Sequence, residues 1–158
     1  MKALILILSL VVTSVSAQIP RSSALFMQLQ NHDSIFFERG FNRCDSAYLM
    51  KMTHKELMFY HDRSGIQNKS DFLKNTRQNL CANFNRKPIR KVRAESLEVF
   101  PLYNQGILYG VVQNGIHDFY IREPGKPDEY TGTARFTHLY LSINGEWILK
   151  EVLSFDHH

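Results

Sequence analysis

The sequence predicts an α+β domain, with three N-terminal helices packed on a strongly curved, mainly antiparallel sheet. Three observations lead there. Apolar residues recur at intervals of three or four through most of the first half of the chain. After Lys87-Pro88 the period changes to two and stays there, giving four long strands. Gly110 and Gly115 interrupt one of those strands, as glycines do where strands bulge or curve. Helices followed by a run of strands place the helices on one face of the sheet, and a curved sheet over helices leaves an open-ended pocket.

The first 17 residues of the 158 read as a secretory signal peptide. Lys2 gives the positive start, residues 3–12 the apolar core, and Val15-Ser16-Ala17 a small-residue cleavage site. The apolar run is shorter than the ~20 residues that a spanning helix needs. The mature protein is therefore expected to be exported, secreted or periplasmic, with no membrane attachment after cleavage. Residues 18–23 form a short polar lead, and 24–158 a single domain.

In that domain Leu25, Leu29, His32, Ile35 or Phe36, and Arg39 mark the first helix, which ends near Gly40. Asp45 or Ser46 caps a second helix over 47–52. Residues 56–61 form an apolar strand that runs into the turn-rich His61-Asp62-Arg63-Ser64-Gly65. A third helix, with Phe72, Leu73, Thr76 and Leu80 on one stripe, covers 69–83. Strands follow over 89–99 and 107–121. The last 26 residues form a hairpin turning at Asn144-Gly145, a pair that tolerates the positive φ of tight turns.

The formal net charge of +4 is too mild to suggest nucleic acid as a partner. Arg86, Lys87, Arg90, Lys91 and Arg93 cluster without an interleaved aromatic to stack a base, and read as a solvated edge. Cys44 and Cys81, an even pair in an exported chain, are expected to form a disulfide, the alternative being two buried thiols.

The candidate chemistry lies in histidines at positions where strands are normally apolar. His117 and His138 sit mid-strand, on neighbouring strands of an antiparallel meander. His61 precedes Asp62 at a strand end, and His157 follows Asp156 at another. A histidine titrates near neutrality, and an adjacent aspartate fixes its tautomer, so such pairs suit proton transfer. Asp156 with His138 or His117 is the first pair expected, and His61 with Asp62 the second. Alternation puts His157 on the face opposite Asp156. Tyr60, Phe119, Phe136 and Tyr140 are the expected pocket aromatics. Neither Ser64 nor Ser154 lies in a G-x-S-x-G elbow. No phosphate loop, dinucleotide fingerprint or HExxH spacing appears, so no cofactor and no metal ligand is assigned.

Several stretches together resemble the nuclear transport factor 2-like (NTF2-like) superfamily, in its DUF4440 or SnoaL-like branch. They are Phe36-Phe37-Glu38-Arg39-Gly40-Phe41-Asn42, Phe59-Tyr60-His61-Asp62 with Gly65, Phe72, Phe136-Thr137-His138, Asn144-Gly145-Glu146-Trp147 and Ser154-Phe155-Asp156-His157. The resemblance implies a cone-shaped α+β domain, often a homodimer formed through its sheet. It also implies a small-molecule pocket, worked in the superfamily's enzymes by an Asp/His pair without metal. Three functions are open at this point. One is an isomerase, dehydratase or hydrolase using His/Asp acid–base chemistry. The second is a non-catalytic ligand-binding or dimerisation module, and the third a metal-dependent enzyme.

Overall fold

The computed structural model describes residues 17–158. The signal-peptide expectation for residues 1–17 therefore lies, apart from Ala17, outside the described residues. Among the described residues no helix is long and apolar enough to cross a membrane.

Helix α1 (Ala24–Phe37) is started by Ser23, whose side chain accepts the Phe26 N–H. It buries Phe26, Leu29, Asp33 and Phe36, which keeps Leu29 and Phe36 of the expected stripe and adds Asp33. His32 is only half-buried and Ile35 is exposed. A π-helical turn (Glu38–Asn42) extends α1. Helix α2 (Ser46–Met52) is capped by Asp45 and drives Leu49 and Met52 inward. The expected third helix is shorter than its pattern: α3 covers Lys69–Asn75, and a π turn continues through Thr76–Leu80.

The strands are β1 (Thr53–His61), β2 (Gly65–Asn68), β3 (Lys87–Val92), β4 (Glu98–Asn104), β5 (Ile107–Arg122), β6 (Glu129–Ile143) and β7 (Glu146–Phe155). They form one sheet in the order β2-β1-β7-β6-β5-β3, with β4 also paired to β5. Among the described residues only β1 and β7 run parallel. The single strand expected over 89–99 is split by a 3-10 turn at Ala94–Ser96, and its halves pair with successive parts of β5. The short β2 falls where the sequence pattern suggests only a loop.

Register shifts fall at Leu102/Tyr103 beside Gly110, at Phe119/Tyr120 and at Leu139/Tyr140, and bend the long strands round the helices. Gly115 plays another part. A Cβ there would lie 2.6 Å from the ring of Phe136, its partner on β6. Its missing side chain is what lets that ring lie flat on the sheet. The core joins α1 and α2 to β5, β6 and β7 through Phe26, Leu29, Phe36, Leu49, Val111, Tyr140, Trp147 and Leu149.

The basic cluster departs from its expected role. Lys91, Arg93 and Arg86 pair with Asp128, Asp118 and Glu123 at the surface. Lys87 and Arg90, also on β3, are instead buried. Lys87 donates to the carbonyls of Phe41 and Pro88. Burial, aided by Arg122, pushes its ammonium pKa down to about 8.

Cys44, just after the π turn of α1, is bonded to Cys81 at the end of the α3 extension, with Cα atoms 5.9 Å apart. The bridge ties together the two helical segments that face the open end of the sheet. Replacing both cysteines with serine is expected to lower the unfolding free energy by about 3–4 kcal/mol, measured by denaturant titration. A loss below about 1 kcal/mol would show that packing alone holds these segments.

Candidate functional site

Between the inward sheet face and the ends of α1 and α3 lies a cavity of about 370 Å³. Phe37, Phe41, Phe59, Phe72, Phe119 and Val152 give it apolar walls. Its polar groups are His61, His117, His138, His157, Ser154 and Arg90, with Gln67, Asn75 and Arg63 nearer the helices and the β1–β2 turn. A cavity of this size and lining suits a small, mainly apolar molecule.

The polar groups form two sets. The inner one starts from Asp33, which the helical period turns into the core, and Arg90, which the strand period turns in from β3. Both are buried, and Arg90 donates to the two Asp33 carboxylate oxygens at 3.1 and 3.3 Å. The guanidinium lies 3.5 Å from the ring centroid of Phe37 and 4.9 Å from that of Phe136. Asn42 holds β3 in place here: its side chain accepts the Arg90 N–H and donates to the Arg90 carbonyl. Arg90 Nε then donates to His117 Nδ1 at 2.8 Å.

An arginine only donates, so His117 Nδ1 must accept, and the proton of the neutral ring sits on Nε2. That Nε2–H has no partner among the described residues. Burial first, and the Arg90 charge second, hold the His117 pKa far below its ordinary value. His138 is also held well below, by burial and then Arg90. Its Nδ1 lies 3.4 Å from Tyr140 Oη and 3.8 Å from Asp33. Phe136 stacks on both histidines. The inner set is thus neutral overall: one compensated ion pair and two uncharged imidazoles.

The outer set lies where β1 and β7 end side by side, with His61 opposite Ser154. β7 stops at Phe155, and Asp156 takes a φ of 61°. That left-handed residue breaks the strand alternation and folds His157 back over the cavity. His157 Nδ1 donates to Asp62 Oδ1 at 2.6 Å, and its backbone N–H donates to Oδ2 at 3.2 Å. Arg63 donates to the His157 carbonyl. His157 Nε2 faces Ser154 Oγ at 3.4 Å. The rings of His61 and His157 stack at 4.3 Å, 16° from parallel, and His61 Nδ1 accepts the N–H groups of Arg63 and Ser64. Desolvation raises the Asp62 pKa, but the backbone and ring hydrogen bonds from His157 outweigh it and hold the carboxyl low. Burial, then the neighbouring His157, lowers that of His61.

The structure therefore brings His61, His117 and His138 to one cavity, with Asp62 joined to it through His157. Asp156 is not there. The residue expected to pair with His138 or His117 is exposed, with His158 Nδ1 3.9 Å from its carboxylate. His157, expected to face away, takes its place at the cavity because of the turn at Asp156. Phe119 lines the cavity. Tyr60 does not: alternation points Phe59 and His61 inward and leaves Tyr60 exposed. Phe136 and Tyr140 are fully buried behind the histidines and are not cavity walls. Asp33 is not among the residues expected at the site, and Arg90 was expected only on a solvated edge. Their signal was an aspartate between Leu29 and Phe36 on an apolar stripe, matched by an arginine on the inward face of a strand.

His61, Asp62 and His157 offer three potential metal-ligand atoms within 4.8 Å of one another. The donor set does not fit an ion as it stands. A metal lies near the plane of each imidazole that binds it, and two stacked rings share no such plane. His61 Nδ1 is also engaged by two backbone N–H groups.

No protein-family model matches the chain. No curated protein matches it either. Solved structures do. ActVI-ORFA from Streptomyces coelicolor superposes with a TM-score of 0.68 at 10% identity, over 85% of this chain and 98% of that one. Aln2 from another Streptomyces gives 0.65 at 7%, over 84% and 90%. An NTF2-like superfamily protein from Salmonella enterica gives 0.60 at 16%, over 82% and 91%. The protein has the α+β cone of the NTF2-like fold.

Two measurements check the inner set. Asp33→Asn removes one partner of a buried ion pair and is expected to cost about 3–5 kcal/mol of stability, read by denaturant unfolding. His117 and His138 remain neutral in the folded state but titrate near 6.5 once unfolded. The unfolded chain then binds more protons below that pH, so stability is present above it and falls as the pH drops. The slope is up to about 1.4 kcal/mol per pH unit for each ring. His117→Phe should remove one such share of the slope between about pH 6.5 and about pH 5. An unchanged slope would show that His117 does charge when folded.

Proposed function

We propose that the protein is an exported pocket protein that binds a small, mainly apolar molecule and acts on it by His/Asp acid–base chemistry. The observation that carries the reading is the 2.6 Å hydrogen bond from His157 to Asp62 at the edge of an apolar cavity. Asp62 fixes His157 with its proton on Nδ1, which leaves Nε2 as a base. On the inner side, His117 lines the cavity as a neutral ring whose proton sits on a buried, unpaired Nε2. Asp62 and His157 thus take the working role, and His61 supports the base by stacking. Export rests on the signal peptide read at residues 1–17.

Native mass spectrometry of the mature protein is expected to find a co-purified small molecule that His157→Ala and His117→Phe reduce. A protein that is always free of ligand, and that binds no member of an apolar fragment set, would overturn the reading.

The dimerisation reading has one observation in its favour. Tyr60 and Leu153 are register partners on β1 and β7, and both are exposed on the outward sheet face. A second copy of the chain would cover that face. Sedimentation is expected to show a dimer that Leu153→Glu converts to a monomer, and a monomeric wild type would remove the proposal.

A further inference from the structure

The outer set holds a third residue beyond the His157–Asp62 pair. Ser154 is an inward position near the end of β7, buried, and part of the cavity wall. Its Oγ lies 3.4 Å from His157 Nε2, while His157 Nδ1 lies 2.6 Å from Asp62. The hydroxyl, the imidazole and the carboxylate therefore follow one another in the order of a nucleophile, its base and the group that orients the base. The serine–imidazole distance is longer than a catalytic hydrogen bond, as is common before a substrate is bound.

We infer that Ser154, His157 and Asp62 form a nucleophilic relay, and that the pocket takes small neutral carboxylic esters and hydrolyses them through an acyl-Ser154 intermediate. The inference rests on the proposed His/Asp chemistry and extends it from proton transfer to acyl transfer.

The roles follow from the tautomers. Asp62 accepts the Nδ1 proton, so His157 Nε2 carries the lone pair, and the only hydrogen that Ser154 can offer it is its own. In the first step Ser154 Oγ forms a bond to the ester carbonyl carbon and its proton passes to His157 Nε2. The negative charge moves to the carbonyl oxygen. His117 is the nearest candidate donor on the inner side: Arg90 fixes its proton on Nε2, and that N–H is buried and unpaired, so a small turn of the ring on substrate binding is needed for it to reach the oxygen. The tetrahedral centre then collapses, the carbon–oxygen bond to the alcohol breaks, and the alcohol leaves with the proton from His157. In the second step water attacks the acyl-serine carbon and gives a proton to His157. Collapse releases the carboxylic acid, and the proton returns to Ser154 Oγ.

The substrate class follows from the walls. The inner set is electrically compensated, so it offers hydrogen bonding without a net charge to hold an anion. The phenylalanine walls suit an aromatic or branched aliphatic portion.

A local feature explains why no serine-hydrolase motif appears in the sequence. The nucleophile here does not sit on a strand-to-helix elbow. Ser154 is the last residue but one of a strand, and the base comes from the same chain three residues on, returned to it by the left-handed Asp156.

The test is p-nitrophenyl acetate and butyrate hydrolysis by the mature protein, with phenylmethylsulfonyl fluoride as the covalent probe. The expected result is turnover that Ser154→Ala, His157→Ala and Asp62→Asn each lower by about a hundredfold or more in kcat/KM. Ser154→Ala/His157→Ala should be no worse than the single variants, since residues acting as a unit are not additive. Intact mass should show one phenylmethylsulfonyl group, mapped to Ser154 and absent from His157→Ala. Circular dichroism confirms the fold of each variant, and the wild-type labelling result stands if Ser154→Ala does not fold. Turnover lost in His157→Ala but kept in Ser154→Ala, with no label on Ser154, would overturn the nucleophile and leave His157 as a base acting on water. Turnover indifferent to both residues, or no turnover and no label, would overturn the relay. If His157→Ala also leaves ligand binding untouched, the His/Asp reading fails with it.

Discussion

The interior of this protein depends on one buried ion pair. Asp33 and Arg90 come from a helix and an edge strand far apart in sequence, and each would be costly to bury alone. Paired, they cancel, and the guanidinium is left with an N–H to spare for His117. That contact decides which nitrogen of His117 carries the proton, adds to the burial that keeps the ring uncharged, and leaves its Nε2–H unpaired. Two phenylalanines close over the arginine, and Asn42 clamps the backbone on which it stands. The pair defines the electrostatics of the inner cavity rather than adding to stability in its own right.

The two polar sets divide the labour along the cavity. The inner one is buried, hydrogen-bonded around the Asp33–Arg90 pair, and its two imidazoles are held neutral by burial and the arginine. The outer one is made of strand ends and a turn, is partly exposed, and contains the groups free to exchange protons. The parallel pairing of β1 with β7 is what brings the latter together, since it places the ends of two strands at the same edge of the sheet. An antiparallel pairing there would have put Asp62 and His157 at opposite ends.

Much of the fold was legible in the sequence because it rests on periodicity. The change from a helical to a strand period after Lys87-Pro88, the Asn144-Gly145 turn and the apolar stripes all report local burial, which a single sequence records. The histidines of β5 and β6 were legible for the same reason, as polar residues at inward positions. What was not legible depends on single dihedral angles and long-range pairs. One left-handed residue, Asp156, exchanges the roles expected for itself and His157. The Asp33–Arg90 pair joins residues 57 apart, and each looks ordinary within its own element. The split of the strand over 89–99 needs both halves to share β5, which no local pattern shows.

The pairing of Asp62 with His157 spans 95 residues. It closes only when β1 has docked against β7 and the chain has come full circle, one of the slowest kinds of contact for a polypeptide to make. A partly folded chain can form α1, α2 and even the β5–β6 ladder while holding a histidine and an aspartate that never meet. Whatever chemistry the outer set performs is therefore withheld from folding intermediates, and its onset during refolding would be a clock for the final docking step.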